Sequence, residues 1–137
     1  RATGVDGSEQ MIKKAISFNS DYTYHCADLV NWRPESKADL IHSMEVFYYV
    51  KNPVGLIKHV TDNWLNPGGR LIMGIDYYTE NKVSESWSED CGISIMTRLS
   101  EAEWIDSFRR AGLTNVQSWR EGAKEGWAGT LVVTGVN

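Results

Sequence analysis

The order of the apolar segments constrains this chain more than any other feature. Short strand-like runs alternate with stretches of helical period, until two strands follow one another near the C-terminal end. Ala2-Thr3-Gly4-Val5 reads as a strand that closes at Asp6. From Ser8 to about Asn19, Met11, Ile12, Ala15 and Ile16 recur at the three-to-four spacing of one helix face. Thr23-Tyr24-His25-Cys26-Ala27 is a second strand, the stretch from Val30 to Lys37 is a loop, and Ala38-Asp39-Leu40-Ile41-His42-Ser43 is a third strand.

The next helix is marked at its start. Asn52 is a suitable N-cap, and Pro53 stands at the first helical position, where a missing N–H costs nothing. Val54, Ile57, Val60 and Trp64 give its apolar stripe. Asn66-Pro67-Gly68-Gly69 predicts a turn, and Arg70-Leu71-Ile72-Met73-Gly74-Ile75 a buried strand ending at Asp76. Ser100 and Glu103 form a capping box ahead of Trp104, Ile105 and Phe108, and Ala111-Gly112 ends that helix. The segments from Asn115 to Trp119 and from Thr130 to Val136, joined by a polar, glycine-containing loop, predict an antiparallel hairpin. The alternation as a whole predicts an α/β fold: a mostly parallel sheet, helices on both of its faces, a closing C-terminal antiparallel hairpin, and one domain over residues 1–137.

Composition narrows the function. Of 137 residues, 42% are hydrophobic, enough for a packed core. The net charge of −4 argues against nucleic acid or an anionic membrane as the partner. No apolar run approaches the ~20 residues that cross a bilayer. Arg1-Ala2-Thr3-Gly4 has neither an initiator Met nor an apolar leader core, and reads as a strand entered in mid-fold. Two cysteines, Cys26 and Cys91, are too few for a disulfide scaffold and too far apart in sequence for a zinc motif, so a reduced, cytoplasmic setting is expected and no metal. There is no P-loop and no Ser-His-Asp or Cys-His arrangement.

Five segments, Thr3-Gly4-Val5-Asp6-Gly7-Ser8-Glu9-Gln10-Met11, Cys26-Ala27-Asp28-Leu29, Ala38-Asp39-Leu40-Ile41, Leu65-Asn66-Pro67-Gly68-Gly69-Arg70-Leu71 and Ala111-Gly112-Leu113, carry a resemblance. In this order they resemble the class I S-adenosylmethionine-dependent methyltransferase fold, a Rossmann-like sheet, from its second strand to its seventh. The resemblance implies S-adenosylmethionine as cofactor and a small-molecule methyl acceptor. It implies that Asp6 holds the ribose hydroxyls and that Gly7 and Met11 lie beside the cofactor. It further implies that Asp28 receives the adenine amino group while Leu29 touches the adenine ring. The family's first strand and its Gly-x-Gly-x-Gly loop have no counterpart in the chain, which is expected to be an N-terminally truncated domain that binds cofactor weakly or not at all by itself. That strand lies between the second and fourth, so its loss leaves a gap of about two strand spacings, ~10 Å. Three outcomes follow: direct pairing of the flanking strands, filling by a second copy in an exchanged homodimer, or a fragment that folds poorly.

Ligands of open α/β sheets sit beyond the carboxyl ends of the strands. That rule selects Asp6, Asp28, the Ser43-Met44-Glu45 corner and Asp76. Ser43 is a candidate cofactor contact, and Glu45 a candidate general base or amine-orienting group. His42, next to this corner, reads as a hydrogen-bonded core residue. Asp76, Tyr77 and Tyr78, with Tyr48 and Trp87, are candidates for an acceptor pocket walled by aromatic rings, whereas Phe47 and Trp104 read as core. The segment from Thr79 to Thr97 has no clear period, and Glu80, Glu85, Glu89 and Asp90 within it read as a solvated face. Two alternatives stand beside this reading: a nicotinamide-dependent oxidoreductase, whose ribose an acidic residue at Asp6 would also serve, and a non-catalytic interaction module.

Overall fold

The computed structural model describes residues 2–137. They fall into two compact units, one running to Pro34 and the other from Glu35 to Asn137, where the sequence suggests a single domain.

The first unit is β1 (Thr3–Asp6), α1 (Glu9–Phe18) and β2 (Thr23–Cys26). β1 and β2 run parallel, with Thr3 opposite Thr23 and Asp6 opposite Cys26. Such a pair needs a crossover, and α1 supplies it. Ser8 caps α1, its hydroxyl accepting the Met11 N–H at 3.4 Å. The predicted apolar face is present but thinly covered: no residue of α1 is buried, and Phe18 is 80% exposed. Packing this loose leaves a pocket of about 190 Å³ lined by Gly4, Val5, Asp6, Met11, Ile12, Ala15 and Tyr24.

The second unit opens with β3 (Ala38–Met44), a short 3₁₀ turn (Phe47–Tyr49) and α2 (Pro53–Trp64). β4 (Leu65–Ile75) follows, then a 3₁₀ turn (Lys82–Ser84) and the one-turn α3 (Trp87–Asp90). α4 (Glu101–Arg110), β5 (Thr114–Glu121) and β6 (Thr130–Val136) complete it. The strand order is β3-β4-β6-β5, and β1–β2 forms a separate sheet, so the direct pairing of flanking strands is not observed. β3 and β4 are parallel, joined through α2; β6 runs antiparallel to both β4 and β5. The expected α/β class and terminal hairpin are thus observed. Both expected helix starts form as well: Asn52 Oδ1 accepts the Gly55 N–H at 3.0 Å, and Ser100 and Glu103 make the full capping box.

One predicted turn is different. Asn66-Pro67-Gly68-Gly69 belongs to β4, which begins directly after Trp64. The register steps from Ala38 opposite Leu65 to Leu40 opposite Arg70, so the extra residues of β4 bulge outward. Gly68, at φ 77°, permits the bulge, and the C-terminal residue holds it: the Gly68 N–H donates to the Asn137 carbonyl at 2.7 Å, and the Asn137 N–H donates to the Gly69 carbonyl at 2.9 Å.

The core lies on one face of the four-stranded sheet. Leu71, Met73 and Ile75 of β4 and Leu131 and Val133 of β6 are fully buried there, as are Trp104 and Phe108 of α4. Gly135, opposite Leu71, marks how closely α4 comes down: a Cβ at that position would lie 2.9 Å from Leu113 Cβ and 3.4 Å from Phe108 Cδ1. α2 packs on α4, so the two helices share this face. Each such buried side chain contributes roughly 1.5–3 kcal/mol relative to an exposed one. On the opposite face Leu40 and Met44 remain about half exposed. His42 has the same parity and is exposed, which corrects its expected place in the core: it points to the face away from α4.

Trp104 is fully buried, yet its indole N–H has no hydrogen-bond partner. Removing that N–H offsets part of the cost of a smaller ring. Trp104→Phe is therefore expected to lower unfolding free energy by less than about 1.5 kcal/mol, against about 3–5 kcal/mol for Trp104→Ala. Urea denaturation of both variants measures the difference; equal losses would contradict this account of the core.

Candidate functional site

Two strand rims collect the candidate residues, one in each unit. In the first, parallel pairing sets Asp6 opposite Cys26, and the Ala27 N–H donates to the Asp6 carbonyl at 3.0 Å. Asp28 lies one residue further on, so both carboxylates belong to the carboxyl-terminal end of the same strand pair. Asp6 Oδ1 accepts the Ser8 N–H at 2.7 Å, which fixes its side chain at the start of α1. Asp28 shapes its own turn: Oδ1 accepts the Val30 N–H at 3.1 Å, Oδ2 accepts from the Asn31 side-chain amide at 2.6 Å, and its carbonyl accepts the N–H groups of Asn31 and Trp32. Gly7 is exposed beside the Ala27 carbonyl, Met11 is 52% exposed at the pocket, and Leu29 is half-buried.

In the second unit, the parallel pair β3–β4 ends at Met44 and Ile75. Ser43, opposite Met73, is half-buried on the face that carries α4. Glu45 follows with φ 55°, a left-handed backbone rare for a residue with a side chain. Its N–H donates to the Gly74 carbonyl at 2.9 Å and extends the ladder past the strand end. Its carboxylate faces inward: Oε1 accepts the Asp76 N–H at 2.7 Å and Oε2 accepts the Tyr48 hydroxyl at 2.6 Å. Burial pushes the Glu45 carboxyl above its ordinary value of 4.5, and the neighbouring Asp76 charge adds to this, against the two hydrogen bonds. Burial and the Glu45 carboxylate both push the Tyr48 phenol up. Asp76 Oδ1 is buried and has no hydrogen-bond partner.

Aromatic rings continue from this corner. Tyr48 and Tyr49 lie 4.4 Å apart between centroids, Tyr48 and Tyr77 lie 5.2 Å apart, and Tyr77 stacks on Trp87 at 6.5 Å with 20° between planes. Tyr48 and Tyr77 are nearly inaccessible, whereas Trp87 and Tyr49 reach solvent. Tyr78 is not at the open rim where the sequence suggested it: it is fully buried, its hydroxyl donates to the Gly129 carbonyl at 2.8 Å, and its ring lies under the Arg120 guanidinium.

The segment from Thr79 to Thr97 is pinned at both ends, the Thr79 N–H donating to the Leu99 carbonyl and the Thr97 N–H to the Tyr48 carbonyl. Its acids are less idle than a solvated face. The Glu80 carboxylate accepts the Glu101 N–H at the start of α4, Glu85 pairs with Arg98 at 3.2 Å, and Asp90 accepts from the Ser86 hydroxyl. Sequence reasoning also passed over Asn81, fully buried, whose side-chain amide donates to the Asp76 carbonyl at 2.8 Å and whose Oδ1 accepts the Ala128 N–H at 3.3 Å. No local signal marks it, because its partners lie in two separate loops. Among the described residues no group of His, Cys, Asp and Glu could hold a metal ion, and no helix is long and apolar enough to cross a membrane.

The raised Glu45 carboxyl has a signed consequence for stability. The folded chain holds this proton more tightly than the unfolded chain, so the contribution to folding is full below about pH 4.5 and is lost as pH rises through the folded value. Glu45→Gln removes the titration. Its stability relative to the parent is therefore expected to improve between about pH 4 and about pH 7, whatever constant offset the lost hydrogen bond adds. Urea unfolding at the two pH values checks this, and a difference that stays constant or moves the other way contradicts it.

Comparison with known proteins agrees with the arrangement. The profile of a methyltransferase domain family matches residues 1–118. Trans-aconitate 2-methyltransferase from Agrobacterium fabrum is 27% identical over 111 residues, covering 81% of this chain and 40% of that protein. The enzyme of the same name from Shigella dysenteriae is 36% identical over 112 residues, covering 82% of the chain and 39% of that protein. The chain thus spans about two fifths of the length of these curated relatives. Among solved structures, the methyltransferase in complex with the Haloferax volcanii Trm112 methyltransferase activator superposes with a TM-score of 0.81 at 30% identity, over 99% of this chain and 71% of that one. N-methyltransferase NodS from Bradyrhizobium japonicum, in complex with S-adenosyl-L-homocysteine, shares the fold with a TM-score of 0.74 at 19% identity, over 100% of this chain and 66% of that one. These matches set aside the nicotinamide-dependent alternative. With its sheet order, its two strand rims and a match over most of its length, the chain belongs to the methyltransferase domain family.

Proposed function

We propose that this chain carries the adenosine-binding rim and an acceptor-facing rim of an S-adenosylmethionine-dependent methyltransferase acting on a small molecule. The observation that carries the proposal is the placement of Asp6 and Asp28 at one end of a parallel strand pair. The donor set of an adenosine suits this rim. Asp6 spends one acceptor position on Ser8, and a carboxylate offers about four, so capacity remains for two ribose hydroxyls. Asp28 would receive the adenine amino group, and Leu29 would lie against the ring. When bound, the cofactor supplies a methyl group on a sulfonium; the chain's own work is to hold the adenosine end and to orient the acceptor.

The relatives named for trans-aconitate support a small-molecule acceptor over a macromolecule, as does the net charge of −4. Asp76 and Trp87 would face the acceptor, with Tyr48, Tyr77 and Tyr78, all nearly inaccessible, behind them as buried support. Ser43 would belong to the cofactor side of the same corner. Cys26 and Cys91 are both exposed free thiols, which fits a reducing, cytoplasmic setting.

Amide NMR tests the assignment at low affinity. S-adenosyl-L-homocysteine at millimolar concentration is expected to shift the amides of Gly4, Val5, Asp6, Gly7, Asp28 and Leu29, and Asp6→Ala to weaken binding about tenfold or more. Shifts that ignore the Asp6 substitution, or that avoid this rim, would remove the basis of the proposal.

A further inference from the structure

We infer that Glu45 is a positioning residue that sets the aromatic acceptor wall, and not the general base its sequence position suggests. The inference rests on the reading of this rim as the acceptor side. Each carboxylate oxygen already accepts a short hydrogen bond, one from the Asp76 N–H at 2.7 Å and one from the Tyr48 hydroxyl at 2.6 Å. Each oxygen keeps a second lone pair, so these bonds do not themselves bar a proton; they show which two partners the carboxylate holds in place. What the two bonds do is mechanical. One fixes the backbone at Asp76, from which Tyr77 directly continues. The other fixes the phenol of Tyr48, whose ring packs against Tyr77 at 5.2 Å. The Tyr77 ring is thereby held from its backbone and from its face by a single carboxylate, and Trp87 stacks on it. Tyr48 passes the constraint further, since its carbonyl accepts the Thr97 N–H at 2.8 Å at the end of the intervening segment.

The backbone supports the same assignment. Glu45 keeps φ 55°, a left-handed backbone that strains any residue with a side chain. That conformation aims the carboxylate back between the two strand ends. Substitution by glycine removes the carboxylate without adding backbone strain, so the loss of positioning is read in a backbone that accepts the residue.

The test uses the chain labelled with fluorotyrosine, with the Tyr48 and Tyr77 resonances assigned through Tyr48→Phe and Tyr77→Phe. Glu45→Gly is expected to move the Tyr77 resonance at least as far as Tyr48→Phe does, and Tyr48→Phe to add no further shift in the Glu45→Gly background. A Tyr77 resonance unmoved by Glu45→Gly, or shifts that simply sum, overturns the inference. Glu45→Asp, which keeps the charge but is one methylene too short to span both partners, gives the same reading should the glycine variant fail to fold. Turnover with S-adenosylmethionine and trans-aconitate as probe supplies the second readout: KM for the probe should rise about tenfold in Glu45→Gly with kcat within about twofold. A kcat collapse at unchanged KM would place Glu45 in the methyl-transfer step itself and overturn the inference. Absence of the expected millimolar S-adenosyl-L-homocysteine shifts at Asp6 and Asp28 counts against the methyltransferase reading, while the fluorine shifts still decide the role of Glu45.

Discussion

The second unit is organised around the two unlike neighbours of β4. On one side it takes β3 in parallel, on the other β6 antiparallel, and its alternate residues Leu71, Met73 and Ile75 are fully buried on the core face. Parallel pairing forces a crossover, so α2 must lie over the sheet, and its last residue, Trp64, runs into β4 without a loop. The same pairing brings the ends of β3 and β4 out at one rim. Glu45 and Asp76 meet there because two parallel strands stop together, with Gly74 paired to Met44. The rim chemistry is therefore a consequence of strand direction before it is a matter of side-chain choice.

Local signals were legible in proportion to how locally they act. Asn52-Pro53 and the Ser100–Glu103 box each satisfy their own helix ends within one turn, so sequence spacing is enough to read them. Asn66-Pro67-Gly68-Gly69 looks like a turn for equally local reasons, but Asn137 decides its fate. That residue supplies the carbonyl and the N–H that keep the bulge in the sheet, and its side chain also reaches the carbonyls of Thr61 and Leu65. Composition near Pro67 contains none of this. His42 illustrates a parity question: the strand was plain, but which of its faces α4 would cover depended on Gly135 and Phe108, far along the chain. At the site, the carboxylates of Asp6 and Asp28 could be placed because a strand end is a sequence feature. The left-handed backbone of Glu45 and the burial of Tyr78 could not, since both are set by partners brought in from β4 and from the loop before β6.

Charge is handled in two ways in this unit, and the contrast bears on function. Glu101 accepts from Ser118 at 2.9 Å and forms an ion pair with Arg120 at 2.8 Å, while Arg120 also lies over the Tyr78 ring. That network gives a negative group a positive partner and joins α4 to the hairpin. Glu45 has no such cation in its hydrogen-bonding set: its partners are a phenol and a backbone N–H, and the next charge is the like one of Asp76. A half-buried carboxylate held by neutral donors is a costly way to join two strands. An apolar residue there would stabilise the fold more cheaply, but it could not orient a phenol and a backbone amide at once.

The first rim raises the opposite question, whether a carboxylate occupied with its own turn can also grip a ligand. Asp6 and Asp28 both act as turn-formers, the bland role for an acidic residue after a strand. The two roles reinforce each other. A free aspartate samples several rotamers and loses that freedom on binding a diol, whereas Asp6 has already lost it to the Ser8 N–H. Asp28 is fixed more firmly still, by the Val30 N–H and the Asn31 amide. Were the two to bind an adenosine as proposed, local capping would lower the entropic cost of that recognition at both positions. In the proposed reading, the bonds that make these residues look merely structural are what hold their remaining lone pairs at a fixed spacing for an adenosine.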